Sequence, residues 1–218
     1  MRERRVESEI LETLPDDHPD AITGREDLLQ VNAVMGNHRW MRRMVRQHVR
    51  PGWRITEIGA GDGALSRSFV EAGLCGPEQL HAFDLAGRPT TWPAAAAWTQ
   101  GDLFRHPLPE SEVLVANLFL HHFENPALRE LGARLPASTE LILAAEPARR
   151  WLHTWTGRLF CSLAQLNHVT RYDMQVSIRA GFRGAELPHA LGLGPEWRWE
   201  ARETPLGACR LLAWRVEG

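Results

Sequence analysis

Glu57-Ile-Gly59-Ala-Gly61-Asp-Gly63 carries more chemistry than any other stretch of the chain. It follows Trp53–Ile58, a short run rich in β-formers, and it precedes Leu65, Phe69, Val70 and Leu74 at helical spacing. A glycine turn between a strand and a helix bends tightly and lets a ligand approach without meeting a Cβ. The helix behind it aims unpaired N–H groups and a partial positive charge at that ligand. Glycine spacing alone does not choose the ligand, because Gly59, Gly61 and Ala64 also satisfy the G-x-G-x-x-G/A pattern of a dinucleotide site. Charge separates the two. A carboxylate at Glu57 repels a pyrophosphate and attracts the ammonium and sulfonium of S-adenosylmethionine. Asp84 ends the next strand, where a carboxylate takes the ribose hydroxyls of either cofactor. Thr99-Gln-Gly-Asp102-Leu103 places a further acid where it can accept from an adenine amino group.

The elements that must position these groups form a regular series. Leu80–Asp84, Ala96–Thr99, Glu112–Asn117 and Thr139–Ala145 read as four more strands, and Leu128, Leu131 and Leu135 mark the inner face of a helix opened by Pro126. Trp197–Glu203 and Cys209–Val216, joined by Thr204-Pro-Leu-Gly207, read as a terminal antiparallel hairpin. Upstream, Glu7–Leu14 reads as a short helix, and Arg25–Arg50 as a longer one broken near Gly36 and ended by Pro51-Gly52. Strands alternating with helical patterns predict a parallel, doubly wound sheet. The expected fold is α/β and Rossmann-like, with seven strands, the last antiparallel, an N-terminal helical extension, and a cap insertion after the fifth strand. The expected boundaries are 1–50 for the extension or lid, 51–218 for the cofactor-binding domain, and about 148–176 for the cap.

Taken together and in this order, E-x-G-x-G-x-G, the acid at Asp84, the G-D-L of Gly101–Leu103 and the run V-L-V-A-N-L-F-L-H-H-F resemble the class I S-adenosylmethionine-dependent methyltransferases of small-molecule type. The resemblance covers about Trp53 to Glu146. It implies methyl transfer from S-adenosyl-L-methionine with S-adenosyl-L-homocysteine as product. It places Glu57, Gly59, Ala60 and Gly61 at the methionine end, Asp84 and Leu85 at the ribose, Asp102 and Leu103 at the adenine, and Asn117 and Leu118 beside the ribose and the methyl group. Asn117 departs from the pattern, since many relatives carry Asp there.

Transfer to a hydroxyl needs a base, and His is the side chain suited to neutral pH. His121 and His122 follow the fourth strand, and His38 sits at the break in the N-terminal helix; these three are the candidate catalytic residues. Trp40, Arg149, Trp155 and His168 are the candidate substrate-binding residues, on the extension and the cap. Nine Trp against one Tyr suggest an aromatic-lined pocket for an aromatic, polyketide-like or isoprenoid acceptor. Methylation on oxygen is expected. A carbon acceptor on a quinone- or resorcinol-type ring, and a non-catalytic binding module, are the alternatives, and a nicotinamide oxidoreductase rests only on the glycine pattern.

Composition bounds the rest. The 218 residues are 44% hydrophobic and 24% charged, which excludes a disordered or fibrous chain. A net charge of −2 gives no footprint for bulk nucleic-acid binding. All 25 basic residues are arginine, so no lysine is present to serve as a Schiff base or P-loop cation. Cys75, Cys161 and Cys209 show no disulfide or metal spacing, so no metal is expected. No run approaches the ~20 apolar residues of a membrane span. Met1-Arg-Glu-Arg-Arg-Val-Glu lacks the apolar core of a signal peptide, and a cytoplasmic monomer or homodimer is expected.

Overall fold

The computed structural model describes residues 3–15 and 17–216; Met1, Arg2, Asp16, Glu217 and Gly218 lie outside it. Seven strands form one sheet: β1 (Ile55–Ile58), β2 (Leu80–Asp84), β3 (Ala97–Gln100), β4 (Val113–Asn117), β5 (Leu141–Pro147), β6 (Trp197–Glu203) and β7 (Ala208–Arg215). Their spatial order is β3-β2-β1-β4-β5-β7-β6. The first five run parallel, and β7 inserts antiparallel between β5 and β6. All residues of β1 and β5 are buried, as strands covered on both faces require. The order reverses at β1, where β2 lies on one side and β4 on the other, and a crevice opens beyond the C-terminal ends of these strands.

Among the described residues, seven α-helices accompany the sheet: α1 (Pro19–Met35), α2 (Asn37–His48), α3 (Ala64–Glu71), α4 (Asn125–Ala133), α5 (Trp151–Leu163), α6 (His168–Ala180) and α7 (Glu186–Ala190). One face of the sheet buries Met41, Val45, Ile55, Phe69 and Leu143 against α2 and α3; the other buries Ile58, Leu128, Leu131, Phe182 and Leu187 against α4 and α7. Helix α1 packs on α6, and α5 packs on α6, which places three helices above the strand ends. No helix among the described residues is long and apolar enough to cross a membrane.

The break near Gly36 occurs where the sequence predicts it. Gly36 adopts φ 66°, ends α1 through its N–H to the carbonyls of Ala33 and Asn32, and lets α2 leave in a new direction. Helix α1 starts earlier than Arg25, because Pro19 fills its first turn and the His18 side chain accepts from the Asp20 N–H. The short helix expected over Glu7–Leu14 does not form. Its backbone is claimed from outside: the N–H groups of Ile10 and Leu11 donate to the Asp173 carboxylate at 2.7 and 3.0 Å. The segment is instead a turn laid over α6, with Thr13 N–H on the Ile10 carbonyl. No α-helix joins β2 to β3; Pro89 and Pro93 shape a loop that buries Trp92 against α3.

Candidate active site

Gly59 and Gly61 both take positive φ, 65° and 56°, but for different reasons. A Cβ on Gly59 would sit 2.1 Å from the Phe119 ring, so glycine there lets the turn pack under the loop that follows β4. A Cβ on Gly61 would meet nothing within 4 Å and would project into open space. Asp84 ties the turn to the next strand, its two carboxylate oxygens accepting from the N–H groups of Gly61 and Ala86 at 2.7 and 2.8 Å. Glu57 is 3% exposed and accepts from the amide and the hydroxyl of Ser66 at 3.1 and 2.5 Å. Burial outweighs those bonds and pushes its carboxyl up to about 8, with Asp62 and Asp84 adding repulsion. In the free protein Glu57 therefore holds a proton near neutrality. The permanent charge expected at this strand tip becomes one that an arriving cation must draw out.

At the tip of β4 the chain passes through Leu118, a non-glycine residue at φ 53°. Glu146, fully buried on β5, organises the turn beyond that tip. One carboxylate oxygen accepts from the N–H groups of Phe119 and Leu120 at 3.1 and 2.9 Å, and the other takes Nδ1 of His121 at 2.7 Å. On the far side of that ring Nε2 lies 3.4 Å from Glu9, which the hydroxyl of Ser177 also bonds. Burial alone would depress the His121 imidazole, but Glu146 and Glu9 outweigh it and raise it to about 9. Both ring nitrogens of His121 are thus engaged by carboxylates, Nδ1 closely and Nε2 at longer range. His122 stacks on His121 with ring centroids 4.2 Å apart, and its Nδ1 lies 2.9 Å from Glu12. His38 also reaches the crevice; burial and the neighbouring Arg42 lower its pKa, so it is neutral.

One cavity of about 1290 Å³ joins these groups. Glu57, Gly61, Asp84, Leu85, Asp102 and Leu103 line one end, with Gly59 and Ala60 in the turn between. Asn117, Leu118, His38, His121 and His122 lie along its middle, and apolar residues of α1, α5 and α6 such as Leu28, Phe160, Met174 and Ile178 line the other end. Pockets for single ligands run to roughly 1,000 Å³, so this volume has room for a cofactor and a second molecule. Asp102 accepts from the Phe104 N–H at 2.9 Å and faces Arg105 at 3.2 Å, which leaves it at the mouth. The Asn117 amide donates to Asn32 of α1 at 3.0 Å, while its own Oδ1 is buried without a partner.

The four substrate-binding candidates lie elsewhere. Trp40 is buried in the core between α2 and the sheet, under the Arg210 guanidinium. Arg149 is 1% exposed and grips Glu186 of α7 at 2.5 Å, so it braces the base of the cap. Trp155 is 63% exposed on the outer face of α5, in a stripe with Trp151, Leu159 and Leu163. The His168 side chain is exposed, 4.0 Å from Asp20. Aromatic rings do line the cavity, but they are Phe83, Phe119, Phe123 and Phe160. The helical period accounts for the difference at α5: Gly157 and Phe160 turn inward, and Trp155 turns out. Glu9, Glu12 and Asn32 escape sequence reasoning, because their partners are more than eighty residues away and no local spacing announces them.

No protein-family model matches this chain, and no curated protein sequence matches it either. Solved structures do. Human N-acetylserotonin methyltransferase, solved with SAM, is 17% identical with a TM-score of 0.61 over 94% of this chain and 61% of that one. The plantazolicin methyltransferase BpumL, solved with a triazolic desmethylPZN analog and SAH, is 11% identical with a TM-score of 0.71 over 95% and 93%. The pyocyanin biosynthetic protein PhzM is 15% identical with a TM-score of 0.60 over 96% and 62%. The chain thus spans about three fifths of the human enzyme and nearly the whole of BpumL. A strand order with β7 reversed between β5 and β6, and a crevice at the β1 switch point, give this chain the Rossmann-like methyltransferase fold.

Proposed function

We propose that the protein transfers a methyl group from S-adenosyl-L-methionine to a small, largely apolar acceptor. The observation that carries this reading is the cavity joining the Glu57–Gly61–Asp84 end to the His pair and the helical cover. The cofactor lies with its methionine end against Glu57 and the glycine turn, its ribose on Asp84, and its adenine between Leu85, Asp102 and Leu103. The methyl group then faces Asn117 and Leu118. Neighbours of this fold solved with SAM or SAH support the choice of cofactor. The turn around Ile10–Thr13 and helices α1, α5 and α6 cover the acceptor end.

The sulfonium is already a good leaving group, so the protein's work is alignment and, for a hydroxyl acceptor, removal of a proton. His122, with Glu12 behind its Nδ1, is the base in this reading. Oxygen is the methylated atom in this reading, consistent with an imidazole backed by a carboxylate beside an apolar pocket.

Calorimetric titration with S-adenosylhomocysteine tests the cofactor. Saturable binding is expected, and Asp84→Ala should weaken it by about 1–3 kcal/mol, or roughly five- to 150-fold. No binding at millimolar ligand refutes the reading. With an acceptor in hand, His122→Ala should lower kcat by ~10²–10⁴ while leaving S-adenosylhomocysteine affinity intact.

A further inference from the structure

Glu9, His121 and His122 each offer one ligand atom to a shared space, and the three atoms lie within 4.8 Å of one another. Both imidazoles are held from behind by carboxylates. Glu146 takes Nδ1 of His121 at 2.7 Å, and Glu12 takes Nδ1 of His122 at 2.9 Å. That pattern sets the tautomer and orientation of a ring whose Nε2 is to serve as a ligand. The two sides of His121 differ in kind. Its Nδ1 contact is a normal charged hydrogen bond, whereas 3.4 Å from Nε2 to Glu9 is long for one. It matches the separation of two donors sharing a tetrahedral cation, roughly 3.4 Å for bonds of ~2.1 Å. Glu9 is fixed in place by Ser177. All three residues line the cavity, so the remaining coordination positions face whatever occupies it.

We propose that Glu9, His121 and His122 form a binding site for a divalent transition-metal ion. Two imidazoles and a carboxylate with open positions suit zinc first, and iron(II) or cobalt(II) next. The N-terminal segment supplies one ligand and the turn after β4 supplies two, so the ion also pins that segment over the cavity. The site does not depend on the methyl-transfer reading. If that reading holds, an ion held by these residues would lower the pKa of an acceptor hydroxyl so that its proton could pass to solvent, and His122 would act as a ligand instead of a free base.

The test uses the tag-free full chain, treated with a chelator and titrated calorimetrically with Zn²⁺ and, separately, Co²⁺. One equivalent should bind with micromolar or tighter affinity, and bound Co²⁺ should show the visible absorption of a low-coordinate site. Glu9→Gln and His122→Ala should each weaken binding at least ~10-fold, while His106→Ala, an exposed histidine outside the cluster, should not. Circular dichroism confirms that each variant is folded. No saturable binding by the wild-type chain overturns the proposal, as does unchanged binding by the Glu9→Gln/His122→Ala double variant. S-adenosylhomocysteine titrated into the same metal-free samples reports on the cofactor site separately, so failure of one reading is distinguishable from failure of the other.

Discussion

Affinity for S-adenosylhomocysteine, measured against pH, isolates Glu57. Its carboxyl is 3% exposed, and burial raises it from 4.5 to about 8. At pH ~7 about nine-tenths of the free protein carries that proton. An ammonium bound beside the carboxylate favours the charged form and expels the proton. About one proton then leaves per ligand bound, and affinity rises about tenfold for each pH unit between ~5.5 and ~7. The window stops there because the ligand's own amino group titrates near ~8. Calorimetry in two buffers of different ionisation enthalpy reads the released proton directly, and Glu57→Gln should abolish both the release and the slope. The same group acts on stability with a definite sign. The ligand-free folded state keeps a proton that the unfolded chain sheds, so stability falls as pH rises from 4.5 to about 8. At ~1.4 kcal/mol per pH unit, that loss is bounded at about 5 kcal/mol. Relative to Glu57→Gln, the wild-type melting temperature should drop across this range. A flat affinity profile in the wild type, or the same slope in Glu57→Gln, refutes the placement of a cation against Glu57.

Two glycines of one turn should respond differently to the same substitution. Gly59→Ala drives a Cβ into the Phe119 ring and should prevent stable folding or lower the melting temperature sharply. Gly61→Ala meets no atom and should cost about 1–3 kcal/mol for its backbone strain, while sharply weakening S-adenosylhomocysteine binding by filling the approach to the turn. Asp173→Ala removes the acceptor for the Ile10 and Leu11 N–H groups. It should cost about 2–3 kcal/mol and make Arg4 and Arg5 more accessible to trypsin, seen as faster cleavage by mass spectrometry.

The outer stripe of α5 and the core position of Trp40 show where sequence reasoning reaches its limit. Trp155 and Phe160 are both aromatic and five residues apart, and composition does not distinguish them. A helix turns 100° per residue, so the fate of each depends on which side faces α6, and that is a packing decision. Arg149 obeys the same logic. A charged residue just past a strand invites assignment to a ligand, yet α7 returns Glu186 to it from thirty-seven residues on.

The sheet, by contrast, was written locally. Most strands are short apolar runs next to their own turns, β6 an alternating one, and the glycines of the first turn are demanded by positive φ, a property of one residue at a time. Strand identity, the turn at Gly59–Gly63, the acid at Asp84 and the break at Gly36 could therefore be read from neighbours in the chain. What only the folded structure decided is the charge state of those groups and the company they keep. Glu57 is an acid in any sequence, but its proton is held by burial under α3. His121 and His122 are adjacent in any sequence, but Glu9 and Glu12 come to them from the N-terminal segment and Glu146 from β5. Protonation and ligand geometry depend on desolvation and on long-range contacts, and neither is encoded in the spacing of neighbouring residues.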